Sequence, residues 1–181
     1  IVGGGGWDEA SCQKLQSFAE INNLPVGCSF RCQDYFDNRH PNYVGHIGIG
    51  LSNSLKDRIQ NSDLLVVVGA RLGEITTSGY SLLEIPKPKQ QLIHVHAGAE
   101  ELGSVYQADL PINASPRSFV DSISQLKVSG SSQWTASTKL GNSDYLETLV
   151  PKAIPGDVQM GQIACWLNET LPEDAIICNG A

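Results

Sequence analysis

The sequence is poor in several features that mark common classes of protein. It has 12 Lys and Arg against 19 Asp and Glu, so the formal charge is −7 and no basic face is available for a nucleic-acid backbone. No apolar run approaches the roughly 20 residues that a membrane-spanning helix needs. We therefore predict a globular protein with neither a nucleic-acid nor a membrane partner.

A disulfide framework is also missing, because the five cysteines are odd in number and scattered. Cys28 and Cys32 invite comparison with a zinc site, but no second pair of ligands accompanies them, so we predict no metal. The odd number favours reduced thiols and a cytoplasmic location. The cysteines are Cys12, Cys28, Cys32, Cys165 and Cys178.

The sequence carries no recognisable set of reacting groups. A Ser-His-Asp arrangement, a nucleophile elbow and a paired-carboxylate motif are all missing. Such a chain is typical of a binding or spacer module in a larger enzyme. The first residue is not methionine, and the last residues follow a predicted strand directly, so we expect a piece of a longer protein.

What the sequence does have is a regular alternation of apolar strands and amphipathic helices. The run LLVVVGA is apolar throughout, as in strands that are buried on both faces of a parallel sheet. The alternation predicts right-handed crossovers and a doubly wound parallel α/β sheet with helices on both faces. The predicted helices cover residues 8–22, 51–61, 99–106 and 115–126, and the predicted strands cover residues 1–3, 26–30, 64–70, 91–97 and 108–114.

The composition changes after Leu126. Residues 127–156 are rich in Ser, Thr and Gly, which predicts a linker. An amphipathic helix over residues 157–171 and an apolar strand, AIICNGA, follow it. Because one helix and one strand cannot form a core alone, we expect residues 1–126 to be one domain and residues 157–181 to begin another.

The opening stretch IVGGGGWDEA places four glycines between a strand and a helix. The dinucleotide fingerprint fails because Asp8 occupies the position of its third glycine, and a Walker sequence is also missing. Two alternatives stay open. The glycines form a tight turn, or their backbone N–H groups bind a phosphate beside the helix N-terminus.

Other candidate residues follow the ends of neighbouring strands, where open parallel sheets bind ligands. Arg71 suits a phosphate or a salt bridge. His94 and His96 share one face of a strand and suit either a metal or a hydrogen-bonded role. His46 lies in a predicted loop near the same edge.

Together these segments resemble a known family. The stretches VGGGG, YVGHIGIG, SDLLVVVGARLGEITTSGY and KQQLIHVHAGAEELGS resemble the central domain of thiamine-diphosphate-dependent enzymes, and the resemblance covers Ile1–Leu126. The closest likeness is to the acetolactate synthase-like decarboxylases and carboligases. The tail from Asp157 is similar to the beginning of the C-terminal diphosphate-binding domain of the same enzymes.

The resemblance implies that other domains of the parent enzyme hold thiamine diphosphate and Mg²⁺, so we expect this fragment alone to be inactive. It also implies a 2-keto acid substrate and a homo-oligomer. Asn179 and Gly180 would lie at the edge of the thiamine diphosphate site. A nucleotide, FAD or ADP, would bind at Gly4, Gly5, Gly48, Gly69, Arg71, His96 and Gly98.

Three departures from the flavin-binding members weaken the expectation of a nucleotide. GARLGEI has Ile75 where those members have a second arginine, and HVHAGA has His96 and Gly98 in place of two aspartates. Ser115 replaces a further aspartate. A histidine cannot accept two hydrogen bonds from a ribose as a carboxylate does.

Two alternatives to this family stay open. A sirtuin-like NAD-dependent deacylase has a similar style of fold, but it requires a catalytic histidine in a cleft and a four-cysteine zinc module. The other alternative is a purely structural oligomerisation module without a small-molecule ligand.

Overall fold

The computed structural model describes residues 1–178. Its α-helices are α1 (Glu9–Asn22), α2 (Asn53–Gln60), α3 (Pro116–Ile123), α4 (Thr135–Thr148) and α5 (Met160–Thr170). Its strands are β1 (Val26–Ser29), β2 (Tyr43–Ile47), β3 (Leu64–Val68), β4 (Gln91–His96) and β5 (Leu110–Asn113). Within the described residues, none of the helices has both the length and the apolar character needed to cross a bilayer.

All strand pairs are parallel, as the alternation of strands and helices predicts. β1 pairs with β2, and β4 lies between β3 and β5. Val2 forms parallel bridges to Cys28 of β1 and to Val68 of β3. The opening segment, residues 1–3, therefore joins the two groups of strands, and the order across the sheet is β2, β1, opening segment, β3, β4, β5.

This order makes the sheet doubly wound. From the central opening segment the chain runs outward through β1 and β2, then returns to the other side for β3, β4 and β5. Neighbouring strands whose connections leave in opposite directions create a crevice at their carboxyl ends. The opening segment and β3 form that switch point.

Helices cover both faces of the sheet, which confirms the predicted fold class. Leu55 and Ile59 of α2 share a buried cluster with Val67 of β3. Leu15 of α1 and Val120 of α3 share a second cluster with strand residues that include Val2, Val68 and Val95. Val67 and Val68 belong to different clusters because successive strand side chains point to opposite faces.

The starts of α1 and α3 follow the sequence signals, whereas α3 ends at Ile123, before the predicted end at Leu126. The carboxylate of Asp8 accepts a hydrogen bond from the Ser11 N–H at 2.8 Å and so caps α1. Ser115 caps α3, whose first residue is Pro116. The predicted short helix at AEELGSVY is only a 3₁₀ turn, Ala99–Glu101.

The structure has a strand, β2, where the sequence predicts the loop that contains His46, so that prediction is wrong. The strand contains Gly45, a poor strand former, and it lies at the edge of the sheet, so local preference is weak. Pairing with β1 decides its conformation, with an irregular register between Val26 and Gly27. Tyr43 is buried in the cluster on the α1 side.

A helix, α4, lies inside the segment that the composition predicts to be a linker. The Thr138 hydroxyl donates to the Asn23 carbonyl at 2.7 Å, and the Asn142 amide donates to the Tyr43 carbonyl at 2.8 Å. Tertiary contacts of this kind override a weak helical propensity. The compact unit that contains the sheet accordingly extends to Tyr145.

A second compact unit begins at Leu146 and contains α5. The helix predicted over residues 157–171 is present in a shorter form. The strand predicted at AIICNGA is absent over residues 175–178, because no strand among residues 1–178 pairs with that stretch. The division of the parent protein into domains stays a prediction.

Candidate functional site

The glycine turn, residues 3–6, connects the opening segment to α1 at the switch point. Gly4 and Gly6 have φ angles of +71° and +86°, which favour glycine over any other residue. A Cβ atom on Gly4 would collide with the carbonyl oxygen of Gly69, which follows β3. Gly69 has a φ of +75°, and a Cβ there would lie 2.7 Å from Cγ of Pro116. These glycines therefore let two strand ends touch through their backbones.

Two aromatic side chains bind the carbonyl groups of this turn. The Trp7 indole donates through Nε1 to the Gly3 oxygen at 2.9 Å, and the Tyr35 hydroxyl donates to the Gly4 oxygen at 2.7 Å. The two rings stack with their centroids 5.5 Å apart and an angle of 29° between their planes. Within residues 1–178 the N–H groups of Gly4, Gly5 and Gly6 donate to no protein acceptor. Both alternatives for the glycines thus have a structural basis, and the tight turn is directly visible.

The arginines of this edge have carboxylate partners. Arg71 Nε lies 2.9 Å from Glu101 Oε1, and the Arg71 side chain is 72% exposed. Arg117 pairs with Asp8 at 3.2 Å. Hydrogen bonds from Ser11 hold the pKa of Asp8 below its usual value, so a negative charge stands at the N-terminus of α1. The salt-bridge alternative for Arg71 is therefore the arrangement observed.

The two histidines of β4 have separate hydrogen-bonded roles. His94 is buried, and its Nε2 lies 3.0 Å from the Ala70 carbonyl oxygen. Burial lowers its pKa, so the ring is neutral at pH 7. His96 Nδ1 accepts a hydrogen bond from the Gly98 N–H at 3.0 Å. The ring centroids are 6.1 Å apart.

The remaining candidates lie on the other side of the switch point. Gly48 follows β2, and a Cβ there would lie 2.9 Å from Cβ of Phe30. An open pocket of about 460 Å³ lies between the loop after β2 and the turn after β3. Its lining residues are Gly48, Ile49, Glu74, Ile75, Ser78 and Gly79. His46 Nε2 lies 2.9 Å from the Ile49 carbonyl oxygen.

The fold therefore divides the predicted site residues into three groups. Gly4 and Gly69 are in contact at the switch point, and Gly5 is beside them with no atom within 4 Å of its Cβ position. Arg71, His96 and Gly98 follow β3 and β4, and Gly48 follows β2. Asn179 and Gly180 lie outside the described residues.

Sequence reasoning missed Trp7, Tyr35 and Glu101. Trp7 directly follows the glycines, which is a usable signal, because a large aromatic residue at a strand-to-helix turn usually packs on the turn. Tyr35 and Glu101 come from distant parts of the chain and carry no signal of their own.

No metal centre is formed by the described residues. Residues 1–178 contain no group of three or more His, Cys, Asp or Glu side chains that could hold an ion. Burial raises the pKa of Cys28 to about 12, and a protonated thiol is a poor ligand. All five cysteines are free.

Comparison with known proteins identifies the architecture. Residues 1–123 match the family described as thiamine pyrophosphate enzyme, central domain, and this match spans more than half of the chain. The chain belongs to the thiamine pyrophosphate enzymes. The matched range of this chain contains its whole sheet and the switch point, as the resemblance implied. The sirtuin-like alternative has no support in these comparisons.

The similarity of this thiamine pyrophosphate enzyme chain to curated relatives continues beyond residue 123. The chain is 26% identical to the acetolactate synthase large subunit of Corynebacterium glutamicum over 99% of its own length and 29% of that protein. It is 28% identical to an acetolactate synthase of Mycobacterium avium over 61% of the chain and 17% of that protein. The 3D-(3,5/4)-trihydroxycyclohexane-1,2-dione hydrolase of Clostridium perfringens is 24% identical over 100% of the chain and 32% of that protein. The chain spans less than a third of the length of these curated relatives.

Proposed function

We propose that this chain is the non-catalytic central part of a thiamine-diphosphate-dependent enzyme that decarboxylates or joins 2-keto acids. One observation carries the proposal. The similarity to an acetolactate synthase large subunit covers 99% of the chain and so continues past the central domain through α4 and α5. The second unit would then be the beginning of the module that holds the cofactor.

The polar groups at the sheet edge support a non-catalytic role. Arg71 is paired with Glu101, and Arg117 is paired with Asp8. His94 is bonded to a backbone carbonyl, and His96 Nδ1 is bonded to a backbone amide. Catalysis requires acid, base or nucleophilic groups held within reach of each other and of a substrate. In the described part of this chain, the corresponding groups serve the fold.

Thiamine diphosphate would supply the electron sink for cleavage of the bond beside the keto group. The described residues do not fit its metal and diphosphate, since residues 1–178 provide no set of metal ligands. Asn179 and Gly180 are proposed as one edge of that site, and the parent enzyme's other domains would supply Mg²⁺ and the remaining contacts. The role of this chain's described residues is to form the scaffold beside it.

The hypothesis of FAD or ADP at the strand ends concerns a different place, the switch-point crevice. A diphosphate there requires unpaired positive charge or free backbone N–H groups. Arg71 and Arg117 are already paired, and Asp8 places a carboxylate at the N-terminus of α1. The feature that favours a bound diphosphate is the set of N–H groups of Gly4, Gly5 and Gly6, because within residues 1–178 they donate to no protein acceptor.

We also propose a cytoplasmic homo-oligomer. Several large apolar residues of the sheet-containing unit are 44–68% exposed, and exposed apolar surface of this kind favours association. These residues are Ile49, Leu64, Ile75, Ile85 and Leu110. Light scattering of the full-length protein would measure its mass.

The test uses the full-length protein, depleted of cofactors by dialysis against a chelator. Release of CO₂ from pyruvate and related 2-keto acids is measured with thiamine diphosphate and Mg²⁺ added together, added singly, and omitted. We expect turnover only when both are present, and none from the isolated 181-residue chain under any condition.

Two outcomes would contradict the proposal. Turnover by the isolated chain would show that it contains a complete active site. The second outcome is that the full-length protein turns over none of the 2-keto acids but hydrolyses 3D-(3,5/4)-trihydroxycyclohexane-1,2-dione. The activity named for the Clostridium perfringens relative would then replace the proposed one.

A further inference from the structure

Two of this chain's own side chains, those of Trp7 and Pro116, lie against the strand end at the switch point. The Trp7 Nε1 atom lies 3.3 Å from the Cβ position of Gly69, and Cγ of Pro116 lies 2.7 Å from the same position. Trp7 Nε1 also donates to the Gly3 oxygen at 2.9 Å. The indole therefore bridges the end of the opening segment and the end of β3, where a ligand of a doubly wound sheet would lie.

Tyr35 holds the indole in this place. The two rings are stacked, and the Tyr35 hydroxyl is bonded to the Gly4 oxygen at 2.7 Å. Tyr35 comes from the 3₁₀ turn after β1, Gln33–Tyr35, on the opposite side of the opening segment from Gly69. Side chains from two elements thus meet above the glycine turn, and each carries a hydrogen bond that fixes its orientation.

The charges around this pair are unfavourable for a diphosphate. Asp8 follows Trp7 directly, and its carboxylate already accepts a hydrogen bond from the Ser11 N–H. Arg117 is paired with that same carboxylate. A nucleotide at the switch point would have to displace an aromatic stack and then lie beside a carboxylate.

We infer that Trp7 and Tyr35 exclude nucleoside diphosphates from the crevice and take the place that such a ligand would occupy. The inference rests on the proposed function insofar as FAD and ADP are the ligands that the proposed family implies. Trp7 is the specificity-determining residue, since its ring covers both strand ends. Tyr35 is a positioning residue that acts through Trp7.

The test is a calorimetric titration of the full-length protein with ADP and, separately, with FAD. Wild type and the Trp7→Ala variant are compared under identical conditions. Because the substitution removes the ring that covers Gly69, we expect Trp7→Ala to bind ADP at least about tenfold more tightly than wild type. The inference is overturned if wild type itself binds ADP tightly, or if Trp7→Ala binds ADP no more tightly than wild type.

Three further variants keep the result interpretable. Trp166→Ala makes the same chemical change at an exposed tryptophan of α5 and should leave nucleotide affinity unchanged. Tyr35→Phe retains a ring for stacking but loses the hydrogen bond to Gly4, so its affinity for ADP should lie between those of wild type and Trp7→Ala. If Trp7→Ala fails to fold, Trp7→Phe takes its place and must bind ADP more tightly than Tyr35→Phe. The titration requires no turnover, so its failure is distinct from failure of the 2-keto acid assay.

Discussion

Gly4 and Gly69 meet backbone to backbone at the point where the chain reverses its direction across the sheet. Gly4 belongs to the turn after the opening segment, and Gly69 follows β3. A side chain on either residue would collide with the backbone of the other strand end. This contact explains why Gly4 and Gly69 are glycines without any need for a bound phosphate.

Replacing Gly4 by Ala should destabilise the chain by about 2–4 kcal/mol. The left-handed φ costs a non-glycine residue about 1–2 kcal/mol, and overpacking against Gly69 adds to that. Urea unfolding followed by circular dichroism would measure the change. Gly5→Ala is the matched control because no atom lies within 4 Å of its Cβ position, and it should change stability by less than about 0.5 kcal/mol. Equal effects of the two substitutions would contradict the described contact.

The stability of the protein should depend on His94 below pH 6.5. Burial lowers the pKa of His94 in the folded state from its ordinary value of 6.5, while the hydrogen bond to Ala70 and the charge of Glu101 oppose the shift. The unfolded chain therefore binds a proton first as the pH falls, and stability is lost below 6.5. Melting temperatures from pH 8 to pH 5 should fall more steeply for wild type than for His94→Gln. Parallel curves of melting temperature against pH would show that His94 does not contribute to the pH dependence of stability.

Asn142 should be important for the attachment of α4. Its side-chain amide donates to the carbonyl groups of Tyr43 and His40, and its removal leaves both acceptors without that partner. We expect Asn142→Ala to cost about 1–3 kcal/mol in chemical unfolding. Leu140→Ala, on the same helix but 60% exposed, should cost less than about 0.5 kcal/mol. A smaller loss at Asn142 than at Leu140 would mean that α4 is held by other contacts.

The ion pair between Arg71 and Glu101 should contribute little to stability. Because the Arg71 side chain is 72% exposed, solvent screens the pair, and its interaction energy should be below about 1 kcal/mol. A double-mutant cycle with Arg71→Gln and Glu101→Gln measures that energy directly. A coupling of several kcal/mol would indicate that the pair is buried in the full-length assembly.

The helices with strong local signals could be predicted from the sequence. Asp8 and Ser115 each cap a helix by accepting a backbone hydrogen bond three residues later, and such bonds depend only on neighbouring residues. β3 is equally clear, because five successive apolar residues can be buried on both faces of a parallel sheet. Local chemistry decided these elements.

For the candidate site, the sequence predicts where the residues lie in the fold but not which residues they contact. The glycines and Arg71 follow strand ends in the sequence, so their place at the carboxyl edge of a parallel sheet follows from the alternation of strands and helices. Their partners could not be predicted. Glu101 is 30 positions from Arg71, and Tyr35 is 31 positions from Gly4. No local rule relates residues so far apart.

By itself the sequence determined the fold class, the caps of the helices and the position of the glycines after strand ends, because the alternation of apolar and amphipathic segments and the capping residues are local features of the chain. Tertiary structure alone decided that β2 is a strand and that α4 is attached through Asn142. It also decided that Trp7 and Tyr35 cover the switch point. Each of these depends on backbone groups that distant segments bring within hydrogen-bonding distance, and such proximity exists only after the chain has folded.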